Sequence, residues 1–332
     1  MVPHSIAIFQ SNDEMPRNGD QCFPFRQQSD TFALCGLDQE ETVLVLFPAA
    51  PKPEWKEVVF IKKTNEHIAI WEGHKYTLDE AKAVSGLQQV FWLDEMPAML
   101  QLMIHEAENI YINSNEQSKF LTDVRSRDYR FAKQLKKQFP YHRYLRAQPI
   151  LRDLAMNKTE FEVALIQRAC DITRETFIDV MQFTNPGVYE YEIEAKIIHG
   201  FISRKANGHA YTPIVASGKN ACVLHYADNN AQCDDGEVIL MDFGAEYANY
   251  AADLSRSIPV SGYFTDRQKK VYQAVLDVMQ EAKYLLKLGV TLDDYEKQVG
   301  GLMERQLVNL GLITMEDIKN QDPDKPAYKK YY

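Results

Sequence analysis

The sequence predicts an α/β domain over residues 1–150 followed by an α+β domain over residues 151–332. Three observations lead there. At about 150 residues per domain, a chain of this length holds roughly two. Short β-rich runs alternate with helix-like stretches from residue 41 to about 112, which is α/β patterning. After residue 159 the order changes to two helices, several strand-like runs, then two more helices.

In the first domain the strand runs are Thr42 to Phe47, Val58 to Lys62, Val90 to Leu93 and Asn109 to Ile112. Gln117 to Phe139 reads as one long helix, ended by Pro140 because proline lacks the N–H that would continue it. Tyr141 to Asp153 reads as an irregular connection, and the domain boundary is placed there, near residue 150. The second domain opens at Thr159-x-x-Glu162, a capping box whose hydroxyl and carboxylate satisfy orphan N–H groups at a helix start. Phe161, Leu165 and Ile172 give that helix an apolar stripe. It stops near Asn185-Pro186-Gly187, and a second helix runs from about Glu190 to Lys205, ended by Asn207-Gly208. Tyr211 to Val215, Cys222 to Tyr226, Glu237 to Phe243 and Tyr250 to Pro259 read as strands, with a turn at Asp234-Asp235-Gly236. A capping box at Thr265-x-x-Gln268 starts a helix that Gly289 closes, and another runs from about Leu292 to Leu310.

Composition narrows the function classes. With 37 Lys and Arg against 47 Asp and Glu the formal charge is −10, and no basic stripe exceeds Lys329-Lys330, so nucleic acid is not an expected partner. The longest apolar runs, Val43 to Phe47 and Val238 to Met241, fall far short of the ~18 residues a membrane helix needs. No basic, then apolar, N-terminal leader is present, so a cytoplasmic protein is expected. The five cysteines are scattered, with no C-x-x-C pair, which argues against a disulfide framework and a zinc knuckle.

Common catalytic signatures are missing. There is no G-x-S-x-G, His105-Glu106 lacks the second histidine of a zincin helix, and Ser217-Gly218-Lys219 lacks the first glycine of a phosphate loop. What remains is Gly236 to Pro259, in which Asp242 and Asp253 sit on either side of a turn expected near Glu246 to Asn249. If the hairpin pairs Asp242 with Asp253, both carboxylates leave one face of the sheet, together with Leu240, Gly244, Ala251 and Ser255. Ile239, Met241 and Phe243 then pack on the other. Two like charges on a half-buried sheet persist only if a proton or a cation compensates them, and a hard divalent metal does so economically. The alternative is a pair of acids on a solvated face or hairpin edge.

At these residues the chain resembles the aminopeptidase P and prolidase family, Xaa-Pro peptidases of the pita-bread fold. Ile214 to Asn230 (IVASGKNACVLHYADNN) is similar to the block around the family's active-site histidine, and Val238 to Phe264 to the block carrying its first two metal ligands. Arg17-Asn18-Gly19-Asp20 and Phe23 to Leu37 resemble the N-terminal domain of the aminopeptidase P branch, and Leu151-Arg152 with the helix from Thr159 resembles the domain junction. The resemblance implies a creatinase-like α/β domain, then a pita-bread domain. It implies that Asp242 and Asp253 are metal ligands of a dinuclear site, usually manganese, and that His225 is the substrate-site histidine. In such enzymes a hydroxide held between the metals attacks the carbonyl before proline. Arg256, three past Asp253, is a candidate to support a ligand carboxylate, an exposed strand arginine being the alternative.

The family completes its site with an H-G-x-x-H-like histidine and two glutamates, and Ala327 to Tyr332 (AYKKYY) resembles the lead-in to that motif. The expectation is therefore a pita-bread domain about half present, with the remaining ligands C-terminal to Tyr332. Two divalent ions ~3.5 Å apart repel by roughly 19 kcal/mol at an effective dielectric of about 20, more than two aspartates offset. This chain alone is expected to bind no metal pair, to be inactive, and to need its missing C-terminal part or a partner chain over the apolar strands at Val238 to Met241. The function implied is removal of the N-terminal residue from X-Pro peptides. Its alternatives are an X-Pro dipeptidase and a non-catalytic peptide- or protein-binding relative. A homo-oligomer is expected from the same resemblance.

Overall fold

A computed structural model describes residues 1–331 apart from 118–122 and 324. Backbone contacts divide the chain into two compact units, Met1–Gln167 with Ala248–Tyr250, and Arg168–Tyr247 with Ala251–Tyr332. Among the described residues no helix is long and apolar enough to cross a membrane.

The first unit is built on a six-stranded sheet of β1 (Ser5–Gln10), β2 (Val43–Leu46), β3 (Glu57–Ile61), β4 (Gln89–Trp92), β5 (Asn109–Ile112) and β6 (Arg143–Arg146). The strand order is β4-β3-β2-β1-β5-β6, with β1, β2 and β3 antiparallel and the other pairs parallel. Its strands are near-continuous apolar runs because both faces are covered. Ile6, Ile8, Val45, Val58 and Phe60 pack with Leu100, Met103 and Ile104 on one face. Ala7, Phe9, Leu44, Val59 and Ile61 pack with Cys35, Ala81 and Leu151 on the other. The helices supplying those residues are α1 (Ser29–Cys35), α2 (Leu78–Ser85), α3 (Met96–His105) and α5 (Gln148–Met156), and α4 (Arg127–Gln138) adds Leu135 to the first face.

The connection expected to be irregular from Tyr141 to Asp153 is instead β6 followed by α5. The helix expected over Gln117 to Phe139 is shorter, Arg127–Gln138, because Ser126 caps its start; Gln117 and residues 123–126 are not helical, and 118–122 lie outside the described residues. The division between units falls within a later helix, α6 (Glu160–Phe183). Its first two turns side with the first unit, where Glu162 accepts a hydrogen bond from the Tyr250 hydroxyl at 2.9 Å. The capping box at Thr159 and Glu162 forms as the spacing requires.

In the second unit α6 and α7 (Glu190–Ser203) cover one face of a three-stranded antiparallel sheet. After β7 (Gly208–His209) come β8 (Ile214–Ser217), β9 (Val238–Phe243), β10 (Ala245–Tyr247) and β11 (Leu254–Pro259), and the sheet order is β8-β9-β11. Ile239, Met241 and Phe243 are fully buried against Ile172, Ile193, Ile197 and Phe201. The apolar surface expected to be left open at Val238 to Met241 is therefore confined to alternate residues. Val238 and Leu240, on the opposite face, line an open groove of about 560 Å³ with Val271, Val275 and Met279 of α8 (Asp266–Leu285). A last long helix, α9 (Leu292–Asn309), follows.

Two strand expectations fail here. Tyr211 to Val215 shifts to Ile214–Ser217, and Cys222 to Tyr226 is no strand at all. A 3₁₀ turn covers Gly218–Cys222, and Val223 and Leu224 are 55% and 85% exposed. β-branched propensity is a weak preference that side-chain hydrogen bonding overrides in this loop.

Candidate metal centre

Asp242 stands on the central strand β9, with Ile214 on one side and Ser255 on the other as its cross-strand partners. The expected pairing of Asp242 with Asp253 is thus off by two residues. Because side chains alternate with period two, a two-residue offset leaves Asp253 on the same face, diagonal to Asp242, where a one-residue slip would have put it on the opposite face. The ribbon bends just before β11. Opposite Asp253, Gly244 approaches Ala252 so closely that a Cβ would lie 1.8 Å from the Ala252 carbonyl oxygen, so only glycine fits. Ala248 and Asn249, with φ of 48° and 63°, make the left-handed turn at the tip.

The two carboxylates meet at one group. The Tyr211 hydroxyl lies 2.6 Å from Asp242 Oδ1 and 3.1 Å from Asp253 Oδ1. A phenol has one proton, so it donates to one carboxylate at a time and leaves the other oxygen facing it uncompensated. Burial, followed by the Asp242 hydrogen bond and charge, pushes the Tyr211 hydroxyl far above its usual range and keeps it protonated. Neither aspartate has an ion pair among the described residues, where no arginine, lysine or histidine nitrogen comes within 4 Å. Two acids on one sheet face with a single shared proton donor are an anionic pocket awaiting a cation.

His225 faces this pair from an exposed turn. It lines, with Tyr211, Thr212, Ile214 and Ala227, the same cleft of about 410 Å³ as Asp242 and Asp253. Strand geometry does not hold it; the loop that carries it is fixed by hydrogen bonds from Ser217, Tyr226 and Ala231 to the Glu190 carboxylate. Arg256, the expected support for a ligand carboxylate, is not brought to the site. It is opposite Met241 on β11, and its guanidinium donates to the Ser255 carbonyl at 2.7 Å. Its odd offset from Asp253 puts it on the other side of the strand.

The donor set can be weighed against a metal. All-oxygen carboxylate donors suit a hard divalent ion, and among the described residues the pair has no basic side chain as counter-charge. Among the described residues no group of three or more His, Cys, Asp and Glu converges on one point. Asp242 and Asp253 therefore fit as one wall of a metal centre. They do not by themselves fit a metal pair.

Tyr211 was not singled out in the sequence, and neither was Glu190, the buried carboxylate that holds the His225 loop. A hydroxyl 31 residues from its acceptor leaves no spacing signal. For Glu190 the hint was its place at the start of a helix after Asn-Pro-Gly, which reads as a cap and nothing more.

Comparison with known proteins is consistent with this geometry. Residues 164–328 match the model of metallopeptidase family M24, and residues 1–111 that of the aminopeptidase P N-terminal domain. The chain is 29% identical to the Xaa-Pro aminopeptidase of Haemophilus influenzae over 332 residues, all of this chain and 74% of that protein. It is 28% identical to the Xaa-Pro aminopeptidase of Escherichia coli, over 99% of this chain and 75% of that protein. Aminopeptidase PepP of Pseudomonas aeruginosa superposes with a TM-score of 0.84 at 28% identity, covering 94% of this chain and 71% of that one. Zinc-substituted E. coli aminopeptidase P in complex with product gives 0.81 at 28% identity, over 95% and 71%. The chain spans about three quarters of the length of these relatives.

Proposed function

Since the chain belongs to the Xaa-Pro aminopeptidase family of metallopeptidases, we propose that it hydrolyses the peptide bond between an N-terminal residue and a following proline. The observation that carries this reading is the convergence of Asp242 and Asp253 on a single protonated hydroxyl, with no Arg, Lys or His ion pair to either among the described residues and a histidine across the cleft. A hard divalent ion, proposed to be manganese, would supply water activation and oxyanion stabilisation when bound. The chain's own residues do the rest. Asp242 and Asp253 would hold one side of the metal centre. Tyr211 keeps its proton and fixes the carboxylate pair by donating to one of them. His225 would hydrogen-bond the substrate or the developing oxyanion from the opposite wall, while Ile214 and Ala227 narrow the cleft between them.

Two carboxylates balance one divalent charge. Further ligands are therefore proposed to come from outside the described residues, from additional polypeptide or from a partner chain packed along the Val238 and Leu240 groove. The test is the metal-loaded, catalytically competent protein assayed by chromatography on an X-Pro peptide and on the same peptide with alanine in place of proline. Cleavage before proline alone, abolished together with metal content by Asp253→Asn, is expected. Cleavage that survives Asp253→Asn with full metal content would overturn the reading.

A further inference from the structure

Glu190 is 0% exposed, yet the mechanism so far gives it nothing to do. Its carboxylate is saturated by one loop. Oε1 accepts from the Ser217 amide at 2.7 Å, the Ser217 hydroxyl at 2.8 Å and Asn220 Nδ2 at 3.2 Å. Oε2 accepts from the Tyr226 hydroxyl at 2.7 Å and the Ala231 amide at 2.9 Å. The backbone locks in return, the Glu190 amide donating to the Ala231 carbonyl at 2.9 Å. Five donors from residues 217 to 231 bracket His225 on both sides, and one of them is its immediate neighbour. Within this span Val223, Leu224 and His225 find no strand and no core.

We infer that Glu190 is a positioning residue for the proposed peptidase reaction, a buried anionic clamp that sets where His225 stands across the cleft from Asp242 and Asp253. The inference rests on the peptidase reading for its consequence and on hydrogen bonding alone for its geometry. The charge matters as much as the shape. Despite burial, which opposes ionisation, the amide and hydroxyl donors hold the carboxyl below its usual range. Its place in the first turn of α7 adds the helix dipole in the same direction. A glutamine of the same size cannot replace it. Whichever way the amide turns, its NH₂ confronts a backbone N–H, from Ser217 or from Ala231, that cannot accept. A ribbon held at both ends by one anion should loosen at its exposed middle when that anion is removed, and the middle is His225.

The experiment reads both parts separately. Hydrogen–deuterium exchange of Glu190→Gln should accelerate in peptides covering residues 217–231 while the six-stranded sheet stays unchanged, and the His225 imidazole NMR signal should broaden or shift. In the metal-loaded, catalytically competent protein, kcat/KM on an X-Pro peptide should fall roughly 10- to 100-fold, the loss expected when a catalytic-site group is misplaced by about 1 Å. The drop should be no greater in Glu190→Gln/His225→Ala than in His225→Ala alone, whereas a purely structural role would add to it. Tyr226→Phe, which removes one donor and leaves the clamp otherwise intact, should give a smaller version of the same pattern even if Glu190→Gln fails to fold. Unchanged exchange and an unchanged His225 signal, or strictly additive losses with His225→Ala, would overturn the inference. An inactive wild type whose loop still loosens in the variants would instead overturn the peptidase reading and leave the clamp standing as geometry.

Discussion

The two units treat their sheets differently. In the first, β1 buries every residue from Ser5 to Gln10, and helices close both faces. In the second, β9 buries Ile239, Met241 and Phe243 but leaves Val238, Leu240 and Asp242 partly open. A sheet closed on both sides leaves no open face for polar groups. One closed on a single side keeps a face on which polar groups can stand, and this one carries two aspartates there. The units also treat buried acids differently. Asp128 in the first unit is 8% exposed, and burial followed by the nearby charge of Asp30 raises its carboxyl to about 7, with a Gln10 backbone hydrogen bond and the Arg127 charge too weak an offset. Glu190 in the second is as deeply buried and is held low by its donors. Burial pushes both the same way; the like charge of Asp30 adds to it at Asp128, while the five N–H and O–H donors aimed at Glu190 reverse it.

The contrast between faces can be broken first by truncation. Phe243→Ala, which removes a ring packed against Phe177 and Phe201, should cost about 3–5 kcal/mol in denaturant unfolding. Leu240→Ala on the neighbouring open face should cost far less. In the first unit, adjacent positions such as Ile8 and Phe9 should both be expensive, since each faces a core. A Leu240→Ala cost equal to that of Phe243→Ala would mean the open face is closed in solution.

The contrast between acids gives a pH signature of the next size. The folded-state value of Asp128 lies above its unfolded one, so its stabilising contribution is complete below about pH 3.8 and is lost as pH rises through about 7. The swing is on the order of 4 kcal/mol at about 1.36 per pH unit. Asp128→Asn should therefore raise the melting temperature at pH 8 and change it little at pH 4, as thermal melts at the two pH values would register. Glu190, with its value lowered, contributes stability that is present at neutral pH and lost on acidification. Equal effects of Asp128→Asn at both pH values would contradict the assignment.

The smallest expected effect sharpens the site itself. Arg256→Ala should leave metal affinity within about twofold, a change under 1 kcal/mol, because its guanidinium binds its own neighbour's carbonyl and not the aspartates. A tenfold loss in a calorimetric metal titration would bring Arg256 back as a support of the centre.

Much of this was legible in the sequence because it rests on local rules. The capping boxes at Thr159 and Thr265 needed only three-residue spacing, and both form. The shared face of Asp242 and Asp253 followed from strand periodicity, which is why a pairing offset by two residues left it intact. The same periodicity, applied to Arg256, would have placed it on the wrong side of the strand. What stayed hidden depends on long-range partners. Tyr211 meets its aspartates across the sheet, and the 222–226 run gave up its β pattern because Glu190, 27 residues before Ser217, draws its ends together. No window of sequence reports such a partner.

The central claim is that a divalent ion belongs between Asp242 and Asp253. Anomalous X-ray scattering at the manganese edge, from crystals of the protein grown with Mn²⁺, tests it directly. A peak within about 2.0–2.3 Å of a carboxylate oxygen of each residue, close to hard-cation distances, is the expected result. Manganese bound elsewhere, with the Tyr211 hydroxyl still bridging two bare carboxylates, would contradict it.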